Sequence, residues 1–182
     1  NLGTLDRSRR AGADVAVAAA VPAGIPWVLD PVKVDRGPAR RAFAEDLLAR
    51  EPAIVKGNPA EMAALGGAIA AARHTAFVTT GAQDTIEDAG RRVRLLNGTP
   101  LLSRVTATGC AAGAVIAAAR AVESDDLLAA AAGLGIWSVS AELAATGAPG
   151  PGTFAVRVID EAAGRTPEDR AERIGLGRGS QH

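Results

Sequence analysis

Thr106-Ala107-Thr108-Gly109-Cys110 runs without a break into Ala111-Ala112-Gly113-Ala114-Val115. A turn of small residues that opens an alanine-rich helix offers the geometry an anion needs. The first N–H groups of a helix lack partners inside it, and the helix dipole makes that end positive. Thr108, Gly109 and Cys110 therefore form a candidate anion hole. Gly109 has no Cβ, so a ligand can approach its backbone closely. Cys110 is the single cysteine of the chain, at a position that favours a thiolate. Three roles are open to it: base for an incoming hydroxyl, packing residue, or inert buried thiol. Taken alone, the same turn also describes an ordinary loop and N-cap packed on a sheet.

Two further constellations carry chemistry. Asp30 precedes Pro31-Val32 at the end of an apolar run, where a carboxylate can hold Mg²⁺ directly or through water. In Lys56-Gly57-Asn58-Pro59-Ala60-Glu61, Asn58 and Glu61 have the spacing of a capping box, which explains both residues structurally. The functional reading makes Glu61 a second Mg²⁺ or water ligand, and Lys56 a point charge for a phosphate. Thr80-Gly81 ends another apolar run and could lie against a nucleotide. Carboxylates for magnesium, a cation for a phosphate chain and an anion hole together suggest a kinase, because phosphoryl transfer depends on positioning and electrostatics. Neither a P-loop nor a dinucleotide fingerprint is present.

Composition narrows the partners. The 182 residues fit one domain with a sizeable core, and 20 basic residues balance 20 acidic ones. With no basic run and no Tyr, nucleic acid is not an expected partner. Apolar runs such as Ala11–Ala23 are too short to span a bilayer, so no membrane partner is expected. One cysteine excludes an internal disulfide and suits a reducing, cytoplasmic setting. The opening Asn1-Leu2-Gly3-Thr4-Leu5 reads like the end of a strand, which suggests a chain lacking its N-terminal part.

Alternating elements position these residues. Helices are expected over Asp6–Ala23, Pro38–Arg50, Pro59–Leu65, Cys110–Val122 and Asp125–Ala145. Strands are expected over Pro26–Val32, Ala53–Val55, Ala76–Thr79 and Thr153–Ile159, the last for its alternating apolar residues. Asp84–Leu96, with Ala89-Gly90 between its halves, predicts a β-hairpin. A short helix near Pro167–Ile174 and a mobile tail complete the expectation. The βαβ alternation predicts an α/β fold, a mostly parallel sheet with helices on both faces. Ligands in such folds bind outside the carboxyl ends of the strands. That rule sends Gly3-Thr4, Asp30, Asn58, Glu61, Thr80-Gly81 and Thr106–Cys110 to one edge.

Several of these pieces occur together in one family. Asn1–Leu5, Pro26–Val32, Lys56–Glu61, Asn97-Gly98-Thr99-Pro100-Leu101-Leu102 with Val105–Cys110, and Gly150–Phe154 follow the order seen in hydroxyethylthiazole kinases, and the chain resembles that family from Asn1 to about Ile159. The resemblance implies a ribokinase-like domain over residues 1–160, with 161–182 as a charged, Gly-rich appendage. It implies ATP-dependent phosphorylation of the hydroxyethyl alcohol of 4-methyl-5-(2-hydroxyethyl)thiazole in thiamine synthesis or salvage. It also implies Mg²⁺ and a homotrimer with sites between subunits. Carried over by position, Asp30 and Glu61 serve the metal, and Lys56, Thr80 and Gly81 the ATP. Ala107 lines the substrate site, and Cys110 stands where related sugar kinases place an aspartate base. A pyrimidine-alcohol kinase of the same superfamily and a non-catalytic nucleotide- or precursor-binding protein are the alternatives. The chain departs from the family pattern at Lys56, usually Arg, at Ala107, usually Gly, and in the short stretch 66–74.

Overall fold

The computed structural model describes residues 1–164 and 166–177. Its elements follow the predicted alternation closely. In chain order they are α1 (Arg7–Ala20), β1 (Val28–Leu29), α2 (Pro38–Leu48), β2 (Ile54–Gly57), α3 (Pro59–Ala64), α4 (Gly66–Ala71), β3 (Ala76–Thr79), β4 (Asp84–Asp88), β5 (Arg91–Leu95), α5 (Thr108–Arg120), α6 (Asp126–Ala145), α7 (Pro151–Gly164), α8 (Pro167–Ala171) and β6 (Leu176–Gly177). Short 3₁₀ turns at Val34–Arg36 and Pro100–Arg104 precede α2 and α5.

Local chemistry sets the boundaries. The Asp6 carboxylate accepts from Arg9 N at 2.8 Å and caps α1. Asp125 accepts from the N–H groups of Leu127 and Leu128 and caps α6. Proline begins α2 and α3, where its missing N–H costs nothing. Gly90, at φ +101°, turns the β4–β5 hairpin. The stretch 66–74 holds the one-and-a-half turns of α4.

Strand order is β1-β2-β3-β4-β5-β6. β1, β2 and β3 are parallel, while β3 through β6 pair antiparallel. The sheet is therefore mixed: the hairpin and β6 extend a parallel core. Side-chain alternation along β2 shows how both faces are covered. Ile54 belongs to a cluster with Ile116, Leu134, Trp137 and Phe154, beneath α5, α6 and α7. Val55 belongs to a second cluster with Val17, Phe43, Leu47 and Leu65, beneath α1 to α4. α6 is long and apolar enough to cross a membrane by length and composition, but two thirds of it is buried inside the protein, so it serves as the core helix. It approaches α5 so closely that a Cβ on Gly133 would stand 2.6 Å from Ile116 Cα.

One expected strand is a helix. Thr153–Ile159 lies within helix α7, not in a strand. The alternation of Phe154, Val156 and Val158 imitates a strand, but the buried residues are Phe154 and Val158, spaced i, i+4 as one helical stripe. Val156 and Ile159 are exposed. α7 runs across residue 160, the end assigned to the kinase domain. The tail expected after Ile174 begins instead with β6, paired to β5 because Leu96 N and Gly175 O join the two segments, and its part beyond Gly177 lies outside the described residues.

Candidate active site

β1, β2 and β3 end at the same edge, and their pleats direct alternate residues toward α5. Asp30 follows β1, Lys56 lies in β2 at the parity of Ile54, and Thr80 follows β3 at the parity of Val78. Asp30 and Lys56 meet there. Lys56 Nζ lies 3.2 Å from Asp30 Oδ2, with each side chain only 5% exposed. The same ammonium donates to Gly109 O at 2.9 Å, so the charge of Lys56 is fixed at the first turn of α5. Asn1 Nδ2 also donates to Asp30 Oδ2, at 2.9 Å, and Leu2 N donates to Asp30 O. Asp30 Oδ1 is buried without a hydrogen-bond partner. Burial pushes the Asp30 carboxyl above the usual aspartate range, and the neighbouring Lys56 ammonium pulls against it.

Glu61 is buried and completes the predicted capping box. Its Oε2 accepts from Asn58 N at 2.8 Å, and Asn58 Oδ1 accepts from Glu61 N at 3.0 Å. Its other oxygen accepts from Lys33 N at 2.7 Å, which ties the loop after β1 to α3. Lys33 needs that support, because it sits in the left-handed region at φ 58°.

The turn into α5 is more strained than its small residues suggest. Ala107, its N-cap, has φ 72° and ψ 2°, a conformation that a Cβ disfavours. Thr108 anchors the turn by donating its hydroxyl to Leu102 O at 2.8 Å. Thr108, Gly109 and Ala112 face a cleft of about 710 Å³ that Thr80 and Gly81 also line. Asn58, Thr80, Gly81, Thr108 and Gly109, five of the residues that the sequence sent to the ligand edge, are thus brought to one cavity, with Lys56 bonded at its rim. Cys110, half-buried and unpaired with another cysteine, is not among the lining residues. A helix turn of 100° per residue carries it away from the face shared by Thr108 and Ala112. Ala107 is likewise outside the cleft lining.

The cleft also contains residues the sequence did not single out. Asp84 is buried, and its Oδ1 accepts from Gly81 N at 2.9 Å, shaping the turn after β3. Desolvation raises its pKa, with the Gly81 N–H opposing. Trp137 and Ser138 of α6 supply further wall, as does Leu96, next to the Asn97–Pro100 motif noted in the sequence. Asp84 opens the predicted hairpin strand, a cue that could have flagged it. Trp137 and Ser138 come from an almost uniformly apolar helix whose sequence marks no special face. No group of three or more His, Cys, Asp or Glu that could hold a metal ion occurs among the described residues.

The hydroxyethylthiazole kinase family model matches residues 1–73 and 67–168. The chain belongs to this family. It is 46% identical over 169 residues to a probable hydroxyethylthiazole kinase of Agrobacterium fabrum, covering 93% of this chain and 67% of that protein. It is 40% identical over 190 residues to the hydroxyethylthiazole kinase of Clavibacter sepedonicus, covering 92% and 69% respectively. This family member therefore spans about two thirds of the length of these curated relatives. The solved structure of a hydroxyethylthiazole kinase from Pyrococcus horikoshii superposes with a TM-score of 0.89 at 32% identity, over 97% of this chain and 74% of that one. The α/β class expected from the sequence is thus the ribokinase-like fold of that enzyme family.

Proposed function

We propose that this chain supplies the nucleotide and phosphate machinery for transfer of the γ-phosphoryl group of ATP to the hydroxyethyl alcohol of 4-methyl-5-(2-hydroxyethyl)thiazole. One observation carries the reading most directly. Lys56 holds the first turn of α5 at the rim of a cleft lined by Thr80, Gly81, Thr108 and Gly109. The cleft is of a size that accepts a nucleotide. Family membership supports the kinase chemistry.

In this reading Thr80 and Gly81 contact ATP in the cleft, and Lys56 offers a buried positive charge to its phosphates. The backbone N–H groups of Thr108, Gly109 and Cys110 receive the charge that develops on the transferred group. The alcohol oxygen bonds to the γ-phosphorus as the bond to the bridging oxygen breaks, leaving ADP, and Cys110 is the base that takes the alcohol proton. Because Cys110 is outside the cleft lining, the acceptor alcohol reaches the start of α5 from the side opposite the nucleotide, where Ala107 flanks it. The buried, unpartnered Asp30 Oδ1 fits one ligand for Mg²⁺, and Glu61, in the first turn of α3 just after β2, is the second carboxylate. When bound, Mg²⁺ neutralises phosphate charge. A homotrimer with sites between subunits and a cytoplasmic setting complete the proposal.

The test is turnover with ATP, Mg²⁺ and a panel of alcohols. Transfer to the thiazole alcohol in preference to hydroxymethylpyrimidine is expected, for this chain or for one extended to the length of its relatives. Nucleotide binding without transfer to any of these alcohols, by both forms, would overturn the activity.

A further inference from the structure

The motif Asn97-Gly98-Thr99-Pro100 forms one wall of the cleft, yet none of the roles above uses it. Its geometry is unusual for a loop. Asn97 engages three partners from two distant parts of the chain. Its Nδ2 donates to Glu142 Oε2 at 3.0 Å and to Arg173 O at 3.0 Å, and its Oδ1 accepts from Gly175 N at 2.6 Å. Glu142, on α6, accepts with its other oxygen from Gly98 N at 2.8 Å. Gly98 sits at φ +145°, which only glycine adopts readily. The neighbouring Leu96 N donates to Gly175 O at 3.0 Å. The segment then continues as β6 along β5. Behind it, Ile174 packs against α6, 3.1 Å from where a Cβ on Gly135 would lie.

We propose that Asn97 and Glu142 are positioning residues that couple the cleft wall to the C-terminal segment 173–177, so that nucleotide binding and docking of this segment strengthen each other. The inference rests on reading the cleft as the nucleotide site. Leu96 and Gly98 are exposed, and the polar links of residues 96–98 run to Glu142, Arg173 and Gly175. A ligand that favours the docked wall must favour the docked segment by the same factor, because linkage is reciprocal.

The test uses the whole chain and ATP with Mg²⁺. Hydrogen exchange at Gly175 and Leu176 is measured with and without nucleotide, and affinity is measured calorimetrically. Saturating nucleotide should slow exchange at these amides. Glu142→Gln keeps an acceptor for Gly98 but turns an amide toward the Asn97 amide. Asn97→Asp sets two carboxylates against each other. Each should weaken nucleotide binding about three- to tenfold, within the range of coupling between packed elements. The double variant restores the 97–142 bond with reversed polarity but still sets a carboxylate oxygen against Arg173 O, so it should recover the part of the affinity lost at Glu142 and not the part lost at Arg173. Unchanged exchange in the parent at saturating nucleotide would overturn the coupling. So would single variants that lower the thermal midpoint while binding ATP as the parent does. A parent that binds no ATP would instead overturn the reading of the cleft, and the coupling with it.

Discussion

Lys56 Nζ donates to Gly109 O across 2.9 Å, fastening β2 to the first turn of α5. A helix N-terminus ordinarily presents N–H groups, so an ammonium bonded to a first-turn carbonyl adds positive charge without closing off the donors. The counter-charge is Asp30, itself buried. Breaking a buried pair by removing one partner costs about 3–5 kcal/mol, whereas removing both charges costs far less. Lys56→Met is expected to lower the free energy of unfolding by about 3 kcal/mol, and adding Asp30→Asn to recover more than half of that loss. Denaturant titration of the parent, the single and the double variants checks it. Equal losses in the Lys56→Met single and the double variant would show that the pair is not what makes Lys56 costly to remove.

Ala107 gives the opposite sign. At φ 72° its Cβ is strained, at a cost of about 1–2 kcal/mol. Glycine removes the strain but loses more entropy on folding, by about 0.4–1 kcal/mol. Ala107→Gly should therefore stabilise by up to about 1 kcal/mol, read as a rise in thermal midpoint. Ala107→Val should destabilise, since branching worsens the same clash.

Gly133→Ala tests the helix contact on which the turn rests. The added methyl meets the backbone of Ile116 at 2.6 Å, so α5 has to move as a unit. A loss of about 1–3 kcal/mol is expected, as for an overpacked core, with weaker nucleotide binding. Unaltered stability and affinity would mean that α5 yields without cost.

Two carboxylates make opposite contributions to pH dependence. Arg91 and the N–H groups of Leu127 and Leu128 hold Asp125 at about 2, below the 3.8 of a free aspartate. Its stabilisation is present above pH 3.8 and is lost as pH falls toward 2. Asp84 is shifted upward, chiefly by desolvation. Its contribution is complete below pH 3.8 and is lost as pH rises through the folded value. Asp125→Asn should flatten the acid limb of stability against pH, and Asp84→Asn should flatten the decline above it while keeping an acceptor for Gly81. Denaturant midpoints from pH 2 to 7 distinguish the two; matching slopes in both variants would refute the assignment.

Cys110 is tested as the base by Cys110→Ala and Cys110→Asp. Loss of a general base costs at least about 10²-fold in rate, and a carboxylate at this position is expected to retain activity. An alanine variant as fast as the parent would dismiss the role.

Much of this was legible in the sequence wherever a signal is local. The Asn58–Glu61 box, the Gly90 turn and the glycine- and proline-marked helix ends depend on neighbours within a few residues. The common ligand edge followed from βα alternation. Thr153–Ile159 misled because β-branched residues at alternate positions fit a strand as well as the exposed and buried sides of a short amphipathic helix. The Lys56–Gly109 and Asn97–Glu142 contacts join residues 53 and 45 positions apart. No periodicity encodes such pairings, so they emerge only once the sheet and α5–α6 are packed.

β6 is two residues long, yet it occupies the outer side of β5 at Arg94 and Leu95. An uncovered strand border invites neighbouring molecules to add to the sheet. Here the border is short, and β5 carries Arg91, Arg92 and Arg94 along it. Arg91 and Arg92 are paired with Asp88, Asp125 and Glu87, so the border presents charged, solvated side chains where an apolar edge would invite pairing. The same segment that buttresses the cleft wall thereby helps keep the sheet finite, and its loss would be felt as precipitation as well as weakened affinity.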